Sequence, residues 1–188
     1  MEKIKFGIDV DGVLRDLTAS ILDMYNSRFN KHMTIDEFVH YDVKDQFPDI
    51  PDAGKYFFSG DNARQLLCNS TPIPGALNAF NVLSELGEVY IVTSQHGIEN
   101  ITYTLNWLHN NGFNTDQICF VSDKSVVSAG LDYLIDDNPL KFVGCKCNAV
   151  LIDMPYNRHN MNHIKSKFYG KTFYRYDSLE KYVNTLIN

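Results

Sequence analysis

The sequence predicts an α/β fold: a parallel sheet with a mostly helical block inserted after its first strand. Three observations predict it. Lys5-Phe6-Gly7-Ile8-Asp9 reads as a short apolar strand at the start of the chain. From Ala76 onward, apolar runs alternate with helical stripes, the rhythm of strand–helix–strand units with right-handed crossovers. Between the two, residues 16–71 carry helical periodicity and turn residues but no strand pattern. The expected division is therefore a core of residues 1–15 and 72–188 with a helical insertion at 16–71.

The first strand ends in Asp9-Val10-Asp11-Gly12. Alternation sends the Asp9 and Asp11 side chains to the same side, and Gly12 lets the chain turn past them. Two carboxylates at a buried strand end need a shared proton, a cation or a metal. Leu17, Ile21, Leu22, Tyr25 and Phe29 give Asp16–Phe29 an apolar helical stripe. Thr34-Ile35-Asp36-Glu37 has the capping-box pattern of a short helix. Tyr41–Gly60, with Pro48, Pro51 and Gly54, reads as irregular; a helix follows at Asn62–Cys68. Thr71-Pro72-Ile73-Pro74-Gly75 reads as a linker.

Ala76–Leu86 is expected to be a helix stopped by Gly87 at C′. Glu88–Ser94 is a near-continuous apolar strand, as coverage on both faces requires. Gly97–Asn111 is amphipathic through Ile98, Ile101, Leu105 and Leu108, and Gly112 ends it; Trp107 on it is expected in the core. Further strands are expected at Ile118–Ser122, Leu131–Asp136 and Ala149–Asp153. Asn138-Pro139 starts a short helix, and Asp177-Ser178-Leu179-Glu180 caps the last one.

Composition narrows the partners. The 188 residues suffice for one core with a sizeable insertion, and 44% hydrophobic content is that of a globular chain. A net charge of -6 without any Lys/Arg run argues against a large nucleic acid or an anionic membrane. Met1–Lys5 does not read as a leader and no apolar run reaches spanning length. Cys68, Cys119, Cys145 and Cys147 lack metal or redox spacing, which points to reduced thiols and a cytoplasmic setting. The sequence leaves the oligomeric state open, a homodimer included.

In a parallel α/β sheet, ligands bind beyond the carboxyl ends of the strands. The polar residues collect there: Asp9 and Asp11, Thr93 and Ser94, Lys124, and Asp136 and Asp137. Hard oxygen donors near several carboxylates suit Mg²⁺ together with a substrate phosphate. A carboxylate can attack phosphorus, a lysine and hydroxyls can steady the transferring group, and a second acid can move protons.

These motifs, in this order, resemble the haloacid dehalogenase superfamily of phosphotransferases. Within it, Asp9-Val10-Asp11-Gly12-Val13-Leu14, the segment Asp123–Ala129 leading to Asp136-Asp137, and Pro155-Tyr156-Asn157-Arg158 are most similar to the 5′(3′)-deoxyribonucleotidases. The resemblance implies a Rossmann-like core with a type 1 cap formed by the insertion. It implies Asp9 as nucleophile and Mg²⁺ ligand, and Asp11 as general acid/base with its carbonyl on the metal. It further implies Thr93 and Ser94 as phosphate holders, Lys124 beside nucleophile and phosphoryl group, and Asp136 with Asp137 at the metal. The expected substrate is a small phosphorylated metabolite, a (deoxy)ribonucleoside monophosphate first. A sugar phosphate, a phosphoacceptor receiver domain and a non-catalytic binding module of the same fold remain as alternatives. The chain departs from the family at Arg15-Asp16-Leu17, where a small residue, an acid and an aromatic are usual. Arg15 is offered here as a holder of substrate phosphate or carboxylate, or as the partner of an acid in the insertion. The insertion's aromatics (Phe38, Tyr41, Phe47, Tyr56, Phe57 and Phe58) read as its core or as a base-stacking surface.

Overall fold

The computed structural model describes residues 3–158 and 167–188; Met1-Glu2, part of the segment read for a leader, lie outside them. Strand β1 (Ile4–Ile8) leads into a helical block of α1 (Leu17–Phe29), α2 (Val43–Gln46), α3 (Ala53–Phe58) and α4 (Gly60–Asn69). Then follow α5 (Ala76–Leu86), β2 (Gly87–Thr93), α6 (Ile98–Asn110), β3 (Ile118–Phe120), α7 (Ser125–Ser128) and β4 (Tyr133–Asp136). The chain continues through β5 (Asn148–Ile152) and β6 (Phe173–Tyr176) to α8 (Leu179–Ile187). The six strands form one sheet in the order β3-β2-β1-β4-β5-β6, with every neighbouring pair parallel. The order reverses between β1 and β4, and such a switch point opens a crevice at the strands' carboxyl ends.

Both sheet faces are covered. Phe6, Ile8, Leu83, Trp107 and Tyr182 belong to the apolar cluster on one side, and Val92, Leu134, Phe142 and Leu151 to a second. The helical block has its own cluster, with Phe47 and Phe57 fully buried among Tyr25, Phe38 and Leu66. Burying each such ring stabilises by about 1.5–3 kcal/mol, so the block holds together through its own aromatics.

Several local expectations need correction. Tyr41–Gly60 is not irregular: Asp42 caps α2 by accepting from Lys44 N at 3.0 Å, and Asp52 caps α3 by accepting from Lys55 N at 3.3 Å. These helices are too short to show periodicity; the caps are their sequence signal. Thr34–Glu37 forms only a 3₁₀ turn (Ile35–Glu37), with the Glu37 carboxylate accepting from Thr34 N at 2.8 Å. Gly87 does not lie past the helix as a left-handed cap; it is extended and opens β2, where any Cβ would run into the Ile4 carbonyl. The buried face of α6 is Thr104, Trp107 and Leu108, while Ile98 is largely exposed. Strand β6 was not foreseen, because Phe173-Tyr174-Arg175-Tyr176 is an edge strand of mixed polarity.

Candidate active site

Four of the expected residues meet at the switch point. Asp9 follows β1, Asp136 ends β4, Asp137 follows it, and Lys124 immediately precedes α7. The Lys124 ammonium lies 2.8 Å from Asp9 Oδ1 and 2.5 Å from Asp136 Oδ2. All four side chains are buried. Carboxylate oxygens of Asp9, Asp136 and Asp137 lie within 4.8 Å of one another. Gly12 makes this approach possible. Its φ of 76° is left-handed, and a Cβ there would run into the Asp137 carboxylate.

The electrostatics are unbalanced. Burial, then the Asp9 charge, pushes the Asp136 carboxyl up to about 6 against the pull of Lys124. Burial and the charges of Asp136 and Asp9 raise Asp137 well above the carboxylate range. Burial opposes the charge on Lys124, but Asp136 and Asp9 hold its ammonium protonated well above the ordinary lysine range. One ammonium thus serves three buried carboxylates. Asp137 Oδ1 is buried without a hydrogen-bond partner, and Asp9 Oδ1 has only the ion pair with Lys124. Orphaned carboxylate oxygens in a tight acidic cluster fit a hard divalent cation.

Sequence reasoning assigned no role to the groups that brace Asp137. The Tyr156 hydroxyl donates to Asp137 Oδ2 in a short contact. Asn157 Nδ2 donates to the carbonyls of Asp137 and Ile152, each at 2.7 Å. Both lie in Pro155–Arg158, quoted above only for its resemblance. Tyr156 also packs edge-on against Phe38 and Tyr41 of the helical block, with ring centroids 5.8 and 5.6 Å away. The block therefore packs on Tyr156, the residue that braces Asp137, and its own Tyr41 also lies within electrostatic reach of Asp137 and Asp9.

Thr93 ends β2 and is buried; its carbonyl accepts from Val121 N at 2.9 Å. Ser94 Oγ donates to the Val121 carbonyl at 2.7 Å and accepts from Lys141 Nζ at 3.0 Å. Lys141, also unforeseen, sits in the 3₁₀ turn Pro139–Phe142 that follows Asn138. It places a second cation at the ends of β2 and β3, donating to the Ser122 carbonyl at 2.9 Å as well.

Asp11 stands apart from the cluster. Its Oδ1 accepts from Arg15 Nε at 2.7 Å, and its Oδ2 from Gln95 Nε2 at 2.8 Å. Arg15 corrects an expectation: its side chain has no exposed surface and its donors are taken up inside the protein. It cannot present a free guanidinium to substrate, and its acid partner is Asp11 rather than a residue of the insertion.

A parallel sheet in this order, with acids at the switch point, defines a class, and solved structures agree. A haloacid dehalogenase-like hydrolase from Burkholderia xenovorans superposes with a TM-score of 0.62 at 13% identity, covering 98% of this chain and 96% of that one. The hydrolase YfnB of Bacillus subtilis, solved bound to magnesium, gives 0.56 at 16% identity, covering 99% of each. The chain thus has the fold of the haloacid dehalogenase-like hydrolases.

Its family is narrower. Residues 2–172 match the family described as 5′ nucleotidase, deoxy (pyrimidine), cytosolic type C protein, and the chain belongs to it. It is accordingly a phosphoric monoester hydrolase. The 5′(3′)-deoxyribonucleotidase of Clostridium acetobutylicum is 25% identical over 169 residues, spanning 89% of this chain and 91% of that protein. The human cytosolic-type 5′(3′)-deoxyribonucleotidase is 30% identical over 139 residues, spanning 69% of this chain and 68% of that protein.

Proposed function

We propose that the chain hydrolyses nucleoside monophosphates, deoxyribonucleotides foremost, with Mg²⁺ and through a phosphorylated Asp9. One observation supports this reading above the others. Asp9 lies within a buried set of three carboxylates around Lys124, while Asp11, two residues on, is held separately. This difference supports Asp9 as the attacking acid and Asp11 as the one that moves protons.

Asp9, Asp136 and Asp137, with the Asp11 carbonyl, would hold Mg²⁺, which when bound offsets charge on the phosphoryl oxygens. Lys124 steadies the Asp9 carboxylate and binds a phosphoryl oxygen. Thr93 and Ser94 line the phosphate from β2. Asp9 attacks phosphorus, forming its own P–O bond as the ester P–O bond breaks. Asp11 gives a proton to the departing alcohol oxygen. Water then attacks phosphorus, Asp11 takes its proton, and Asp9 leaves as the free carboxylate with inorganic phosphate released.

The helical block acts as the cap of residues 16–71, meeting the site through Phe38, Tyr41 and Tyr156. The half-exposed Tyr41 is the aromatic best placed to meet a base, since Phe38, Phe47 and Phe57 are committed to the block's core. The four free cysteines fit a reducing, cytoplasmic setting, and among the described residues no helix is long and apolar enough to cross a membrane.

Asp9→Asn should abolish hydrolysis of deoxyribonucleoside monophosphates while the circular dichroism spectrum is unchanged; retained turnover would refute the mechanism. A parallel panel of sugar phosphates decides the substrate class: preference for those esters would move the assignment away from nucleotides.

A further inference from the structure

Arg15 is the least expected residue of the site. Its guanidinium is fully buried, and its contacts come from three separate elements. Nε donates to Asp11 Oδ1 at 2.7 Å, Nη1 to the Leu67 carbonyl of α4 at 2.7 Å, and Nη2 to Thr104 Oγ1 of α6 at 3.2 Å. The guanidinium also lies over the Trp107 ring, 5.2 Å from its centroid. Trp107 in turn donates from Nε1 to the Ser70 carbonyl at 2.6 Å, at the end of the helical block. Burying an arginine for stability alone is a poor solution, because desolvation offsets most of the Coulombic gain. What this arrangement does supply is a fixed position for one carboxylate oxygen.

The other oxygen is held differently. Asp11 Oδ2 accepts from Gln95 Nε2 at 2.8 Å, and Gln95 sits half-exposed in the loop after β2. Asp11 retains 22% of its side-chain surface, whereas Arg15 retains none. The open approach to Asp11 is therefore from the Oδ2 side.

Building on the phosphomonoesterase reading above, we propose that Arg15 and Gln95 are the positioning residues of the proton-transfer group. Arg15 anchors Asp11 Oδ1 to α4 and α6, and Gln95 aims Oδ2, the oxygen that exchanges its proton with the leaving alcohol. In the first step the ester P–O bond breaks, its electron pair stays on the alcohol oxygen, and the Oδ2 proton moves there. In the second step Oδ2 takes a proton from the attacking water. Neither Arg15 nor Gln95 exchanges the proton itself: of the two Asp11 oxygens Arg15 bonds only Oδ1, Gln95 holds Oδ2 through its amide, and Arg15 ties this acid to α4 of the helical block.

The test separates esters by how much their leaving group needs a proton. A nucleoside monophosphate expels an alkoxide and needs one; p-nitrophenyl phosphate expels a stabilised phenolate and does not. Values of kcat/KM for both esters, with Mg²⁺, should be compared in wild type, Arg15→Met and Gln95→Leu. Arg15→Met should lose about 100-fold on the nucleotide and no more than about 3-fold on the nitrophenyl ester. Gln95→Leu, a change at a half-exposed loop side chain that carries the test if Arg15→Met does not fold, should lose about 10-fold on the nucleotide alone. Inhibition by inorganic phosphate should stay within about 2-fold of wild type in both, because proton transfer is not part of product binding. Equal losses on the two esters, or no loss in Gln95→Leu, would overturn the proposal while leaving the phosphatase reading intact. A wild type inactive on both esters would overturn both.

Discussion

The two acids of β1's end are one residue apart and occupy opposite electrostatic settings. Asp9 belongs to a buried region in which one lysine faces three carboxylates, and Asp137 Oδ1 there has no hydrogen-bond partner. Asp11 belongs to a region in which one arginine and one amide satisfy one partly exposed carboxylate. The first is short of positive charge and the second is not. A metal ion would complete the former, and in the function proposed above the difference assigns metal binding and nucleophilic attack to Asp9 and proton transfer to the Asp11 carboxylate. Three perturbations probe this difference.

Removing the lysine should have the largest effect. Lys124→Met leaves three buried carboxylates without their shared cation and should destabilise the metal-free protein by about 3–5 kcal/mol, read by urea unfolding at neutral pH. A loss below about 1 kcal/mol would mean that water or a proton already balances the cluster.

An intermediate effect is expected from pH. The folded Asp136 carboxyl titrates near 6, above its ordinary value of 3.8, so between these values the folded state binds more protons than the unfolded chain. Metal-free stability should therefore fall as pH rises from about 4 to about 6. Saturating Mg²⁺ should remove this slope and stabilise by about 2.7 kcal/mol at a hundredfold excess over its Kd, seen as a higher Tm near pH 7. A Tm that Mg²⁺ leaves unmoved would contradict a metal site in this region.

The smallest effect is expected at the brace. Tyr156→Phe removes the donor to Asp137 Oδ2 and should cost about 1–2 kcal/mol without metal and less with it, by the same unfolding measurement. An equal cost in both conditions would place Tyr156 outside the charge balance.

The sheet and the cluster were legible in the sequence because their signals are strong and local. Buried parallel strands read as apolar runs, and the residue after each run falls at the switch point, so Asp9, Lys124 and Asp136 could be placed together before any geometry was known. The helical block was less legible. Its short helices α2 and α3 are held by Asp42 and Asp52 caps and by aromatic packing rather than by periodicity. Arg15 was visible as a departure but not as a buried anchor, since its partners Leu67, Thr104 and Trp107 come from two helices distant in sequence. Tyr156 was visible only as part of a segment of family resemblance, with no role attached, and Gln95 and Lys141 gave no signal: single polar residues after strands or in turns look like solvated loops until the fold places them.

The most direct measurement is to trap the intermediate. Wild-type protein mixed with Mg²⁺ and a nucleoside monophosphate labelled on its phosphate, quenched in acid and digested, should carry the label on the peptide containing Asp9. Asp9→Asn should carry none. Turnover without labelled protein, or label on a peptide lacking Asp9, would contradict the assignment of Asp9 as nucleophile.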